Sequence, residues 1–179
     1  MNSEQPFALL ITWTCYGTWL PGDPRGHVSD TLQPGGSRLP KRNTPGTPYA
    51  TGDEYTLLEA QQRQKWPMVH LTRDQAQAVV ERMVEAAEER HWRILRAAVM
   101  CHHVHVVVTD CPDDGPAVRR VLKGTTQARL SERAAAPCRW WTKKGSDRYL
   151  HTEEAIENAV RYVARQKGIL AEVVDMQVV

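Results

Sequence analysis

Two histidines separated by one valine carry the clearest chemical signal in this chain. They are His103-Val104-His105, inside the run Ala98 to Thr109 that ends at Asp110-Cys111-Pro112. The run is rich in branched apolar residues and reads as a β-strand. Side chains alternate between the faces of a strand, so Val104, Val106 and Val108 share one face, free to enter a core. His103 and His105 share the other face, with Val107 beyond them. Two imidazoles at that spacing stand roughly 6–7 Å apart at their α-carbons, which suits two ligands of one divalent ion. Two other readings stay open: a pair of solvent-facing or core-satisfied histidines, and a zinc site of Cys101, His103, His105 and Cys111. The zinc grouping must span about 13 Å of extended strand from Cys101 to His105, which only a bent hairpin allows.

The elements around the pair can be read in order. Phe7 to Thr14 is an apolar strand of the kind found at the centre of a sheet. Glu54 to Lys65 can form a short helix that Pro67 stops. Thr72 to His91 is the clearest helix, with Thr72 and Gln75 spaced as a capping box and a stripe of Ala76, Val79, Val80, Met83, Val84 and Ala87. Trp92 to Val99 is a second strand, joined to the histidine strand by a link too short for anything but an antiparallel hairpin. A second long helix starts near Pro116. Cys138 to Trp141 reads as a fourth strand, followed by the basic turn Lys143-Lys144-Gly145-Ser146. Thr152 caps a last helix over Glu153 to Lys167 that Gly168 ends, and the apolar tail Ile169 to Val179 can add a strand. Strand, helix, strand, strand, helix, strand is the order of an α+β, ferredoxin-like (RRM-like) antiparallel sheet with two helices on one face. The first and third strands are then central. His103 and His105 look out from the other face onto the extra C-terminal helix.

The chain of 179 residues suits one domain, interrupted at about residues 20–56 by a long loop. Residues 21–50 hold six Pro, five Gly and the basic Arg25, Arg38, Lys41 and Arg42, so a DNA-contacting or mobile loop is expected there rather than a second domain. No apolar run reaches membrane-spanning length and no signal-peptide pattern is present, so a cytoplasmic, nucleoid-associated protein is expected. Four cysteines without a C-x-x-C pair argue against a disulfide framework. Net charge is only +2, but Ala117 to Tyr149 carries nine Lys and Arg against two acids, a local +7. That asymmetry is the footprint of a nucleic-acid-binding face, with Arg119, Arg120, Lys123, Lys143, Lys144 and Arg148 as contacts. Trp140 and Trp141 beside the basic turn are candidates for base stacking. A noncatalytic nucleic-acid-binding module would account for the charge alone, although histidines stand where RNA-recognition sheets carry aromatic residues.

On the last helix, Ile156, Ala159, Val160 and Val163 form the apolar stripe, and Tyr162 and Gln166 lie four residues apart on its flank. There they can face an adjoining sheet. Tyr16 and Tyr149 lie near strands and compete with Tyr162 for that place. Together, His-hydrophobe-His and a C-terminal helix with Tyr-x-x-x-Gln resemble the HUH-type single-tyrosine transposases, in particular the REP-associated tyrosine transposases and minimal insertion-sequence transposases. Trp13-Thr14-Cys15-Tyr16-Gly17-Thr18, Gly22-Asp23-Pro24-Arg25-Gly26 and Tyr149-Leu150 fit the same pattern, while Cys101 and His102 stand where that family usually has Pro-Asn. The resemblance implies His103, His105 and Gln166 as ligands of Mg²⁺ or Mn²⁺, Tyr162 as nucleophile, and single-stranded or hairpin DNA as partner. It implies a DNA endonuclease and strand transferase acting through a covalent phosphotyrosine. Monomer and homodimer both remain open.

Overall fold

The structure, a computed structural model, describes residues 8–23 and 53–179. Phe7 and the basic residues Arg25, Arg38, Lys41 and Arg42 lie outside the described residues. The chain divides into two compact units, one of residues 1–15 with 69–179 and one of residues 16–68.

The larger unit is an antiparallel sheet with helices on both faces. Its strands are β1 (Ala8–Thr14), β2 (Arg93–Met100), β3 (His103–Thr109), β4 (Ser146–Leu150), β5 (Ile169–Val174) and β6 (Gln177–Val178), in the spatial order β4-β1-β3-β2-β5-β6. The order β4-β1-β3-β2 is the ferredoxin-like core, with β1 and β3 central as expected, and the C-terminal tail extends it by two strands. One face carries Leu9, Ile11, Trp13, Val104, Val106 and Val108, all buried beneath two helices, α2 (Arg73–Glu88) and α3 (Gly115–Glu132). Thr72 caps α2 and completes the capping box with Gln75, while Asp114 caps α3 ahead of Pro116.

The other face of the sheet is covered by α4 (Glu153–Ala164). Ala155, Ile156, Ala159, Val160 and Val163 pack onto Ala8, Leu10, Ala98, Met100, Val107 and Leu150. Thr152 caps α4 by accepting a hydrogen bond from the Ala155 N–H at 3.1 Å. The helix ends at Ala164, three residues before the expected Lys167. The Gln166 N–H bonds the Val163 carbonyl, a tightening i to i−3 contact, and Gly168 at φ +70° then turns the chain into β5.

The expected strand over Cys138–Trp141 is not formed; the fourth strand is Ser146–Leu150, and Trp141 makes one isolated bridge to Cys15. The reason is local. The Trp140 N–H is taken by the Gln127 side chain and its indole N–H by Ser131, so the segment is fastened to α3 rather than hydrogen-bonded along a neighbouring strand.

The smaller unit, among its described residues, holds α1 (Glu54–Gln62), capped by Asp53 through the Tyr55 N–H. Tyr16 belongs to this unit, where its hydroxyl accepts from the Lys65 N–H at 3.1 Å. No described helix is long and apolar enough to cross a membrane.

Because one hydroxyl holds the start of α4, Thr152→Ala should lower stability by about 1 kcal/mol. Urea denaturation followed by circular dichroism checks this through a shifted midpoint at unchanged slope.

Candidate functional site

The β1–β3 register places Thr14 opposite His103 and Thr12 opposite His105, so all four side chains share the α4 face. The hairpin that delivers the histidines is pinned at its turn: the Cys101 carbonyl accepts from the Leu71 N–H and the His102 carbonyl from the Cys15 N–H. Both imidazoles are buried, at 7% and 6% exposure, and their ring centroids are 4.8 Å apart. His103 Nδ1 lies 3.4 Å from His102 Nδ1, and His105 Nδ1 lies 2.7 Å from Thr12 Oγ1. Burial pushes the His105 pKa down to about 4, so the ring is neutral at physiological pH.

Tyr162 completes the cluster. Its ring meets the His105 ring edge-on at 5.2 Å between centroids, while half of the residue remains exposed. Tyr149 does not compete: it sits on the opposite face, where its hydroxyl accepts from the Gly115 N–H at the start of α3. Beside Tyr162 opens a cleft of about 460 Å³ lined by Leu10, Thr12, Arg148, Thr152, Glu154, Ala155, Asn158 and Ala159. Arg148 thus stands on the histidine face, two positions along β4 from Ser146, the residue opposite Thr12.

The donor set suits a divalent ion. A neutral imidazole whose Nδ1 is tied to a partner offers Nε2 as ligand, and two rings 4.8 Å apart can each bring a nitrogen to about 2.1 Å from one metal. Gln166 lies two residues beyond the helix rather than on it, and its amide nitrogen donates to the Tyr162 carbonyl at 3.2 Å, so any bond to a metal would fall to its amide oxygen. Among the described residues, no three of His, Cys, Asp and Glu are disposed to hold one metal ion. The four-residue zinc grouping is therefore not formed: the Cys101 sulfur lies beside His102 Nδ1, and the Cys111 thiol turns toward the Asp113 carbonyl.

The basic residues do not make one patch. Arg120, Lys143, Lys144 and Arg148 are exposed. Arg119 is ion-paired to Asp147 on β4, whose side chain is 10% exposed. The Lys123 ammonium donates to the carbonyls of Thr142 and Lys144 at 2.6 and 3.0 Å, fastening the basic turn from within, and burial, with Arg119 and Arg139 adding, pushes its pKa down to about 8. These two cations hold the fold rather than standing out for phosphate. Trp140 and Trp141 are likewise core residues, at 6% and 4% exposure. The Trp140 indole N–H donates to Ser131, and Trp141 packs edge-on against Trp13. Their faces are not offered to bases, and burial of the Trp13–Trp141 pair is what overrides the exposed reading.

Sequence reasoning missed Thr12. The signal that could have found it is its place opposite His105 once β1 and β3 are paired with Ala8 facing Thr109.

No protein-family model matches the chain, and no curated protein matches it. Among solved structures, a REP-associated tyrosine transposase bound to a REP hairpin is a distant neighbour, at 10% sequence identity and a TM-score of 0.47. The similarity covers 89% of this chain, and the chain covers 65% of that one, just under two thirds.

His105 gives a pH-dependent test in metal-free protein. Its folded pKa, about 4, lies below the ordinary 6.5, so the unfolded chain binds the proton first as pH falls. The contribution is fully present above pH 6.5 and is lost between pH 6.5 and about 4, on the order of 3 kcal/mol in total. Denaturation midpoints across that window, compared with those of His105→Asn, should show this loss. An imidazole NMR signal of His105 titrating near 6.5 would contradict it.

Proposed function

We propose that the chain is a metal-dependent single-stranded DNA endonuclease and strand transferase of the transposase type, acting on hairpin-containing DNA through a covalent phosphotyrosine. The observation that supports this reading most is the convergence of Tyr162 on His105, a half-exposed phenol set edge-on against a buried neutral imidazole that shares its face with a second one.

In this reading His103, His105 and the amide oxygen of Gln166 hold Mg²⁺ or Mn²⁺. A bound divalent ion supplies neutralisation of charge on a non-bridging phosphate oxygen. The rest is the work of the chain. A phenol is a weak nucleophile alone, and Tyr162 gains from being held beside the site by α4. Its oxygen forms a bond to phosphorus as the bond from phosphorus to one sugar oxygen breaks. The phenol gives up its proton and the departing oxygen takes one up. The phosphotyrosine keeps the energy of the original ester, so a second DNA hydroxyl can attack it, join strands and restore the phenol.

Arg148 in the cleft, with Arg120, Lys143 and Lys144 exposed elsewhere, supplies phosphate contacts. Because imidazole nitrogen binds later transition metals more tightly, Co²⁺ or Ni²⁺ should also occupy the site.

The test is incubation of the chain with labelled DNA hairpins and Mn²⁺, followed by a denaturing gel. A covalent adduct is expected. Tyr162→Phe should abolish it while leaving melting temperature and DNA affinity nearly unchanged, and His103→Ala or His105→Ala should abolish it too. An adduct that survives Tyr162→Phe would refute the nucleophile. Metal-independent binding with no adduct on any hairpin would leave a noncatalytic nucleic-acid-binding module.

The split among the basic residues gives a second test by salt titration of DNA binding. Arg148→Ala should reduce the slope of log affinity against log salt by about 0.7 on single strands. Lys123→Ala should instead lower the melting temperature, because three turn carbonyls lose their donor.

A further inference from the structure

We propose that Thr12 is a positioning residue for the candidate metal site, holding His105 as the tautomer protonated on Nδ1 so that Nε2 presents its lone pair to a divalent cation. The inference rests on the reading of His103 and His105 as ligands. It adds a residue from a different strand and assigns the proton.

The geometry is set by strand pairing. Thr12 and His105 are directly opposed in the β1–β3 register, so their side chains leave the sheet on one face. Their heteroatoms are 2.7 Å apart, a short contact between a hydroxyl and a ring nitrogen. Threonine is branched at Cβ, so its χ1 is stiff and its hydroxyl is held in place by the strand itself.

A neutral imidazole has one N–H and one lone pair, and the partner of one nitrogen decides what the other can do. If the Thr12 hydroxyl donated to Nδ1, the proton would sit on Nε2, which could then bind no cation. If Nδ1–H donates to Thr12 Oγ1, Nε2 is a ligand. The hydroxyl proton of Thr12 then points away from the ring, on a residue that lines the cleft beside Tyr162 and so has a polar space to enter.

The contrast with His103 shows that the arrangement is not a general feature of the sheet. Thr14, the residue opposite His103, bonds to the Thr142 hydroxyl at 3.1 Å, and His103 Nδ1 has His102 within 3.4 Å. One imidazole of the pair thus has a β1 hydroxyl at its Nδ1, and the other has a neighbour from its own hairpin there. The two ligands should respond separately to substitution.

Thr12→Val tests the assignment, because valine keeps the branched shape and strand preference and removes only the hydroxyl. The first readout is the long-range ¹H–¹⁵N spectrum of the imidazoles at neutral pH, taken on metal-free protein without DNA. In the wild type, His105 should show a protonated Nδ1 and an unprotonated Nε2. In Thr12→Val that pattern should shift toward Nε2–H or a mixture, and Thr12→Ser should restore it.

The second readout is calorimetric titration with Mn²⁺, for which the affinity should fall about 10-fold or more in Thr12→Val and recover in Thr12→Ser. Thr14→Val, which keeps the same shape change one pleat away, should leave the His105 pattern as in the wild type. A wild-type His105 already protonated on Nε2 would overturn the proposal. So would a folded Thr12→Val chain that keeps the wild-type tautomer and Mn²⁺ affinity. A wild type with the Nδ1–H tautomer and no Mn²⁺ binding at all would overturn the metal reading of the pair instead, since the tautomer is read with neither metal nor DNA present.

Discussion

The site depends on the register between β1 and β3. Side-chain alternation gives each strand two faces, and pairing Ala8 with Thr109 fixes which residues of the two strands meet. On one face, Leu9, Ile11 and Trp13 meet Val108, Val106 and Val104 beneath α2 and α3. On the other, Leu10, Thr12 and Thr14 meet Val107, His105 and His103. A slip of one residue would turn both imidazoles into the apolar layer, where an unpartnered ring nitrogen is costly, and would put three valines where the cluster now sits. The run Ala8–Trp13 is almost wholly buried, so the register is specified by two packed faces at once.

The α4 face is itself graded along the strands. Its apolar end, around Ala8, Leu10, Val107 and Leu150, takes the stripe of α4. At its polar end, around Thr12, His103 and His105, the Tyr162 ring meets His105, and Thr12 lines the cleft. Anchoring and chemistry are thus divided between two ends of one surface. The division explains how the phenol can be half exposed on a helix that is otherwise firmly packed. Ala159 and Val163, which lie on the same side of Tyr162 around the helix, are both buried, so the packing of the stripe sets where the ring is held at its edge.

Much of this was legible in the residues. Parity placed the two histidines on one face, the short link at Cys101-His102 demanded a hairpin, and the spacing of Thr72 with Gln75 marked a helix start. These signals are local, and local rules decide them. What escaped was decided by contacts distant in sequence. Trp140-Trp141 looked like a strand followed by a stacking platform because two adjacent tryptophans have strong strand preference; their burial depends on Trp13 and on Ser131 and Gln127 of α3. The run of basic residues from Arg119 to Arg148 counted charges without knowing their faces. Asp147 lies one residue before Arg148, yet it points to α3 and takes Arg119, while Arg148 points to the cleft. Thr12 was invisible for the same reason: nothing at residue 12 announces a partner at residue 105 until the strands are paired.

The reach between tyrosine and histidine is set by both ends of α4. The helix begins three residues after Leu150 of β4, which pairs with β1, and ends five residues before Ile169 of β5, which pairs with β2. Its two tethers therefore flank β3, and the helix must cross over the strand that carries the histidines. In this chain the phenol meets the imidazole of its own sheet, with no exchange of elements needed to bring them together. The tethers also explain why the helix stops at Ala164. Extending it through Lys167 would carry the chain about 4.5 Å further along the helix axis, at 1.5 Å per residue, and past the point where β5 joins β2. The turn at Gly168 returns it to the sheet instead, and Gln166 falls in that turn, with its amide folded onto the Tyr162 carbonyl. The same short segment thus closes the helix, leads into β5 and keeps Gln166 beside Tyr162.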